Sequence, residues 1–184
     1  PGIITTNFTG NTTLAPIVPR DDNGPPDVGF HYDPIDYAWN GLNLTNATLT
    51  LTNGVAVAIY GDKGTTLRTG AKFISQGDAV HLNHLTRYQT VQEQPMIWGS
   101  AASSLMDRNT SGAPEVRLRF TDVSLMADTS TRRYLAAGLN GGVYNPFAVQ
   151  DSQLRGVYMP VFAYSSGMTV ALTNRRLLSR LKAY

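Results

Sequence analysis

Residues 44–51 read LTNATLTL and contain the pattern from which we predict the fold. Leu49, Thr50 and Leu51 alternate apolar and polar side chains, which places neighbouring residues on opposite faces of a β-strand. Asn46 interrupts the run, and asparagine tolerates the left-handed backbone conformation that a tight corner requires. The stretch therefore predicts a corner at Asn46 that leads into a strand with one buried face.

The same order of apolar residue, polar corner and second apolar residue recurs along the chain. The corners fall at Asn46, Gly70, Asp122, Asp151 and Asn174, with separations of 24, 52, 29 and 23 residues. The separation of 52 residues corresponds to two repeats if a degenerate copy runs through residues 88–92. A period of roughly 20 to 30 residues is typical of a solenoid. We therefore predict an all-β fold, a parallel β-helix of about five or six coils. An antiparallel sandwich is the alternative, because it also contains short strands at regular spacing.

Other β-rich runs are broken by Gly, Asn, Asp or Ser. They cover residues 42–51, 55–60, 72–75, 85–91, 115–126, 143–154, 156–164 and 168–172. A helix needs apolar residues at a spacing of 3.6, and no segment of ten or more residues keeps it. Helical turns fit best at residues 135–139 and 175–181.

Composition excludes several classes of function. The chain has 184 residues, of which 42% are hydrophobic and 15% charged, and it contains no cysteine. Disulfide scaffolds, thiolate metal sites and thiol nucleophiles are therefore excluded.

Four of the 15 cations lie in the last ten residues, so the remainder carries 11 cations against 13 acidic groups. A phosphate-binding face needs clustered cations, so we expect no nucleic-acid partner. No apolar run reaches the ~18 residues of a transmembrane segment.

The chain divides into three parts. Residues 1–36 contain Pro16, Pro19, Pro25, Pro26 and Pro34, and they are expected to form an extended leader because proline disfavours helix. Residues 37–174 contain the repeats and are predicted to form the body. Residues 175–184 form a basic tail or cap. The chain starts at Pro1 without an apolar signal segment, which predicts a processed protein or an excised fragment.

A polar but uncharged composition without cysteine suits a secreted or cell-surface protein. Five Asn-x-Ser/Thr triplets are glycosylation acceptors if the source modifies such sites. They begin at Asn7, Asn11, Asn43, Asn46 and Asn109.

Residues 26–34 read PDVGFHYDP and are followed by coils such as LTNATLTLTNG at residues 44–54. This combination resembles secreted bacterial right-handed parallel β-helix repeat proteins, over roughly residues 25–174. The resemblance implies export and a repetitive surface or carbohydrate-related role, and it transfers no catalytic residue. The chain departs from that family in its small number of coils and in its basic last ten residues.

Carbohydrate chemistry supplies the enzyme candidates. If Asp122 and Asp151 occupy equivalent corners they stack ~4.8 Å apart, a separation compatible with a retaining glycosidase. A lyase would use arginines such as Arg119 and Arg155. Equivalence to Asn46, Gly70 and Asn174 favours a corner role for the two aspartates, so no catalytic residue is assigned and the chain is expected not to be an enzyme.

A sugar-binding surface is a further candidate. Arg117 and Arg119 alternate with Val116, Leu118 and Phe120, so both guanidinium groups are predicted to point outward, where they would bind uronic acid carboxylates. Trp39 and Trp98 are the aromatic candidates for stacking on sugar rings. A solvated outer face and an aromatic cap are the plain alternatives.

No metal site and no cofactor are predicted. His81 and His84 share a face only in a helical turn, and no glutamate lies between them. The acidic group of Asp21, Asp22, Asp27, Asp33 and Asp36 lacks the order of a calcium loop. Turn formation explains these residues.

The sequence thus favours a non-catalytic extracellular structural or adhesive protein, with a carbohydrate-active enzyme or a sugar-binding module as alternatives. A solenoid has open ends that template pairing with another chain. Apolar residues of the leader are expected to add to a neighbouring molecule and to give a homo-oligomer or a head-to-tail filament. They are Ile3, Ile4, Phe8, Leu14, Ile17 and Val18.

Overall fold

A computed structural model describes residues 1–19, 34–61, 64–88, 104–108, 112–124, 134–138, 146–156, 159–163, 170–174 and 176–178. Eighteen short strands lie in these ranges. They are β1 Gly2–Ile4, β2 Thr12–Leu14, β3 Tyr37–Trp39, β4 Leu42–Leu44, β5 Thr48–Leu51, β6 Ala56–Ile59, β7 Thr65–Leu67, β8 Lys72–Gln76, β9 Asn83–Arg87, β10 Ser104–Arg108, β11 Glu115–Arg119, β12 Thr121–Ser124, β13 Tyr134–Gly138, β14 Phe147–Gln150, β15 Gln153–Arg155, β16 Met159–Ala163, β17 Val170–Thr173 and β18 Arg176–Leu178.

The strands form three parallel sheets. Sheet A has the order β1-β3-β6-β9-β12-β15-β18, sheet B the order β16-β13-β10-β7-β4, and sheet C the order β17-β14-β11-β8-β5-β2. The chain visits sheets A, B and C in turn, and we call one such visit a pass. Every strand pair in the described ranges is parallel, which contradicts the antiparallel sandwich and confirms an all-β, solenoid-like stack.

The core lies between the three sheets. Leu49, Phe73, Val116 and Phe147 are register neighbours in sheet C, and all four side chains are buried. Each alternates with an outward residue, as period-2 patterning requires. Val57, Leu85, Val123 and Leu154 make the same kind of column in sheet A. Like residues therefore stack on like residues from one pass to the next.

Left-handed backbone marks the corners between sheets. Asn46, Gly70, Asp151 and Asn174 all have a φ between +46° and +68°, which confirms four of the five predicted corners. They belong to two different junctions. Asn46 and Gly70 join sheet B to sheet C, whereas Asp151 and Asn174 join sheet C to sheet A.

The fifth predicted corner is wrong. Asp122 lies within β12, and Phe120, with a φ of +49°, makes the corner instead. The short link between β11 and β12 leaves Phe120 as the residue that must turn the chain from sheet C to sheet A. A phenylalanine side chain does not favour the left-handed conformation that this turn requires. The predicted helical turn at residues 135–139 is also wrong at residues 135–138, which belong to β13.

Residues 1–19, the N-terminal pass, belong to the sheets. β1 pairs with β3, Phe8 forms a bridge to Leu44 of β4, and β2 pairs with β5. The region predicted to be a leader therefore contributes its own pass at residues 2–14. Within the described ranges, no helix combines the length and apolarity needed to cross a lipid bilayer.

Candidate functional site

Three exposed cations lie on the outer face of sheet C: Lys72, Arg117 and Arg119. The arginines alternate with the buried Val116 and Leu118, and their side chains are 55% and 59% exposed. The predicted outward direction of both arginines is thus confirmed. Whether they bind a ligand depends on the groups around them.

Each of these cations contacts a carboxylate of the same chain. Lys72 Nζ lies 3.3 Å from Glu115 Oε2 across the β8–β11 pair, and Arg117 Nε donates to the other Glu115 oxygen. Arg119 Nε lies 3.4 Å from Asp151 Oδ2. Both carboxylates are more buried than the cations. The carboxylates therefore bind the guanidinium and ammonium groups on the side that faces the protein, and these groups remain exposed to solvent.

The contacts of Glu115 change its acidity. The hydrogen bond from the Arg117 guanidinium is the main cause that holds the pKa of Glu115 below its ordinary value of 4.5, and Lys72 acts in the same direction. Partial burial opposes them. Glu115 is therefore the ionised centre of this group of charges at neutral pH.

A row of exposed polar side chains crosses the strands beside these cations. Gln76, Arg119, Gln150 and Thr173 are register neighbours on β8, β11, β14 and β17, and all four are exposed. Parallel strands lie ~4.8 Å apart, so the row is a regular ladder of amide, guanidinium and hydroxyl groups. We call these four residues the polar ladder.

The outer face of sheet A carries a second, more buried group. Arg155 donates to both carboxylate oxygens of Asp122, from Nε at 2.9 Å and from Nη2. His84 Nδ1 lies 3.8 Å from Asp122 Oδ2 on the other side. The Asp122 side chain is only 9% exposed. A buried carboxylate with a bidentate arginine is a strongly held ion pair.

The hydroxyls near this ion pair do not complete a catalytic triad. Ser124 lies beside Thr86 in the β9–β12 register, while His84 lies beside Asp122. Thr86 Oγ1 donates to the Ser124 carbonyl oxygen at 3.3 Å. The nucleophile of a triad must hydrogen-bond to its histidine, whereas these residues occupy different rows of the sheet.

The expected stacking of Asp122 on Asp151 is wrong. Asp122 pairs in register with His84 and Gln153, whereas Asp151 lies at the following corner and contacts Arg119 and Asn174. The two carboxylates are held by different arginines on the outer sides of different sheets. They do not form the opposed pair that a retaining glycosidase requires.

Only one of the two tryptophans proposed to stack on sugar rings lies within the described residues. Trp39 is fully buried, and its indole nitrogen donates to Thr65 Oγ1 at 2.9 Å. The expectation that Trp39 stacks on a sugar is therefore corrected: it belongs to the core because its neighbours Tyr37 and Ile59 pack inward with it. Trp98 lies outside the described residues.

His81 and His84 lie in different elements of the structure. His81 lies in a turn in which the Asp78 carboxylate accepts the backbone N–H groups of Val80 and His81. These bonds hold the pKa of Asp78 below its ordinary value. His84 is on β9. Within the described ranges no group of three or more His, Asp or Glu could hold a metal ion.

Asp36, the only residue of the predicted acidic group that lies within the described ranges, is fully buried. Its carboxylate accepts the backbone N–H groups of Ile17 and Val18, each at 2.9 Å, and that of Ala56 at 2.8 Å. Asp36 therefore fastens the end of the N-terminal pass to β6. The acidic residues at 21–33 lie outside the described residues.

The residues predicted to mediate assembly lie on the N-terminal pass. Ile4 and Phe8 are partly buried against the core, and Leu14 is buried. Ile3 and Ile17 are exposed, at 65% and 53%. Val18 is held through its amide by Asp36. These residues thus pair with the same chain, and only part of their apolar surface faces outward.

Sequence reasoning named Asp36 and His84 only as candidate metal ligands that turn formation explains, and it missed the contact of Asp36 with the amides of Ile17 and Val18 and that of His84 with Asp122. For His84 and Asp122 the available signal was the alternation in β9 and β12, where polar residues at every second position share one face. Comparisons of the chain with protein-family models, with curated proteins and with solved structures found no match.

Proposed function

We propose that this protein is a non-catalytic structural or adhesive component outside the cell, built as a right-handed parallel β-helix of about five or six coils. Three parallel sheets visited in a fixed order support that architecture. The polar composition with few charged residues is the basis on which we propose export to the surface or the medium.

The observation that carries the proposal is the way in which carboxylates and cations pair between neighbouring passes. Three carboxylates each bind a cation on the adjacent pass: Glu115 binds Lys72, Asp151 binds Arg119, and Asp122 binds Arg155. An enzyme needs such groups to converge on a substrate. Here they link neighbouring passes and fix their register, which is what a scaffold requires.

A screen of the purified protein against neutral and acidic polysaccharides tests the absence of catalysis. We expect no product from any substrate. Turnover that is lost in Asp122→Asn, but not in the matched surface variant Asp78→Asn, would identify an active site on sheet A and reject the scaffold.

Association of copies end to end is the second part of the proposal. β1 and β2 are terminal strands of their sheets, and terminal strands offer unpaired backbone groups. At the opposite end of the sheet C column Val170 is 41% exposed, while its neighbour Phe147 is buried. Sedimentation at several concentrations should show oligomers whose mass rises with concentration. A constant monomer mass would reject association.

Binding of an acidic polysaccharide is a second candidate function, favoured by the polar ladder. Planar amide and guanidinium groups at strand spacing suit the hydroxyls and carboxylates of a linear sugar chain. The apolar Ile74 and Ala148 lie in the next column, beside Arg117. Calorimetric titration with a polyuronate should show binding that Arg119→Gln abolishes and Arg68→Gln leaves unchanged.

A further inference from the structure

The N-terminal pass contacts the rest of the chain along one edge. Phe8 N donates to Asn43 O at 3.0 Å, and Thr45 N donates to Phe8 O at 3.2 Å. The Asn11 side chain accepts from Thr48 N at 3.1 Å. Together with the β1–β3 and β2–β5 pairs, these bonds cover the edge formed by β3, β4 and β5. We call that edge the acceptor edge.

This pass is less buried than the two passes that follow it. Leu14 is its only buried residue, whereas two of the four residues of β5, all four residues of β6 and, in the pass after these, four of the five residues of β9 are buried. Units with little buried apolar surface open at a lower free energy than the rest of a structure. The N-terminal pass is thus expected to separate from the acceptor edge more easily than the next two passes separate from each other.

The end of the N-terminal pass lies close to the start of β3. Ile17 and Val18 bind the Asp36 carboxylate, and Asp36 directly precedes β3. A segment of the length of residues 19–35 reaches at most about 55 Å when fully extended. This limit allows the N-terminal pass to occupy the acceptor edge of a second copy that lies within that distance, while the pass remains connected to its own chain.

We propose that the N-terminal pass is exchanged between copies, so that residues 1–19 of one molecule occupy the acceptor edge of a second molecule. The exchanged contacts are identical to those within one chain, which makes the exchange inexpensive in free energy. This inference rests on the proposed association of copies and names its mechanism.

Cross-linking tests the exchange directly, because the chain contains no cysteine. Thr13 on β2 and Thr50 on β5 are register neighbours on the outer face of sheet C. The variants Thr13→Cys and Thr50→Cys are produced separately, mixed, equilibrated at high concentration and treated with a short bis-maleimide. Exchange predicts a covalent dimer of the two variants, with a yield that rises with concentration by mass action.

A matched pair controls for chance collisions and general unfolding. Thr50 and Ile74 are also register neighbours, but both lie in the body, on β5 and β8. Thr50→Cys mixed with Ile74→Cys should give little covalent dimer, while the double variant Thr13→Cys/Thr50→Cys should show that the reagent spans the β2–β5 distance.

Two results would overturn the inference, and they differ. Oligomers that sediment normally but give no Thr13–Thr50 dimer above the control would keep the association and reject the exchange. A protein that stays monomeric at every concentration would reject both.

Discussion

The guanidinium group of Arg155 on β15 holds both carboxylate oxygens of Asp122 on β12, which is the neighbouring strand of sheet A. A second pair, Arg119 with Asp151, also bridges adjacent passes but is 59% exposed on its arginine side. The molecule therefore contains the same kind of arginine–aspartate ion pair in a buried and in an exposed setting.

These two pairs should differ in their effect on stability. Removing Arg155 leaves a carboxylate that is only 9% exposed without its cation. We expect Arg155→Leu to lower the free energy of unfolding by about 3 kcal/mol. For Arg119→Leu we expect a loss below about 1 kcal/mol, because an exposed ion pair is screened by water. Urea denaturation followed by circular dichroism measures both.

A double variant separates the effect of losing the ion pair from the effect of leaving the buried Asp122 carboxylate without a cation. Asp122→Asn combined with Arg155→Leu should recover part of the loss, because no buried charge then remains uncompensated. Equal losses for Arg155→Leu and Arg119→Leu would show that burial of Asp122 does not govern the energetics of this contact.

Gly70 should be sensitive to the smallest side chain. Its φ is +68°, and a Cβ atom at this position would lie 2.5 Å from Asn46 Oδ1. We expect Gly70→Ala to destabilise the protein by about 1–2 kcal/mol, since left-handed backbone is costly with a Cβ. Gly10→Ala is the matched control, because its Cβ would meet no atom within 4 Å. A Gly70→Ala melting temperature no lower than that of Gly10→Ala would contradict this account.

The corners show what local sequence can reveal. Asn46, Gly70, Asp151 and Asn174 were predictable because their residue types tolerate positive φ. Phe120 has no such preference, so no local signal points to its corner. The neighbouring Asp122 does have the polar character of a corner residue, which explains the displacement of the prediction by two positions.

Burial was harder to predict than strand alternation. The outward direction of Arg117 and Arg119 follows from period-2 patterning within one strand. The burial of Trp39 and Asp36 depends on contacts with β6 and β7, more than fifteen residues away in the chain. Such contacts follow from the register between passes, which the sequence of one strand does not determine.

Acid should weaken the protein through Glu115. The pKa of Glu115 is lower in the folded protein than its ordinary value of 4.5, mainly because of Arg117. The stabilisation is therefore fully present above the unfolded pKa and is lost as the pH falls through the folded pKa. We expect the difference in urea midpoint between the wild type and Glu115→Gln to shrink between about pH 6 and pH 3. A difference that stays constant over this range would exclude ionised Glu115 as its source.

Asp36 should control the attachment of the N-terminal pass. Its buried carboxylate accepts three backbone N–H groups, two of them from Ile17 and Val18. Hydrogen bonds to a charged group are worth more than neutral ones, so Asp36→Ala should cost at least about 2 kcal/mol locally. Hydrogen exchange should show lost protection at residues 2–18 while β8 and β11 stay protected.

The exposed Asp78, which also accepts two backbone N–H groups, provides the control: Asp78→Ala should affect only its own turn. Unchanged protection of Ile17 and Val18 in Asp36→Ala would show that strand pairing alone holds this pass, and the covalent dimer yield of the exchange experiment should then also be unaffected by the substitution.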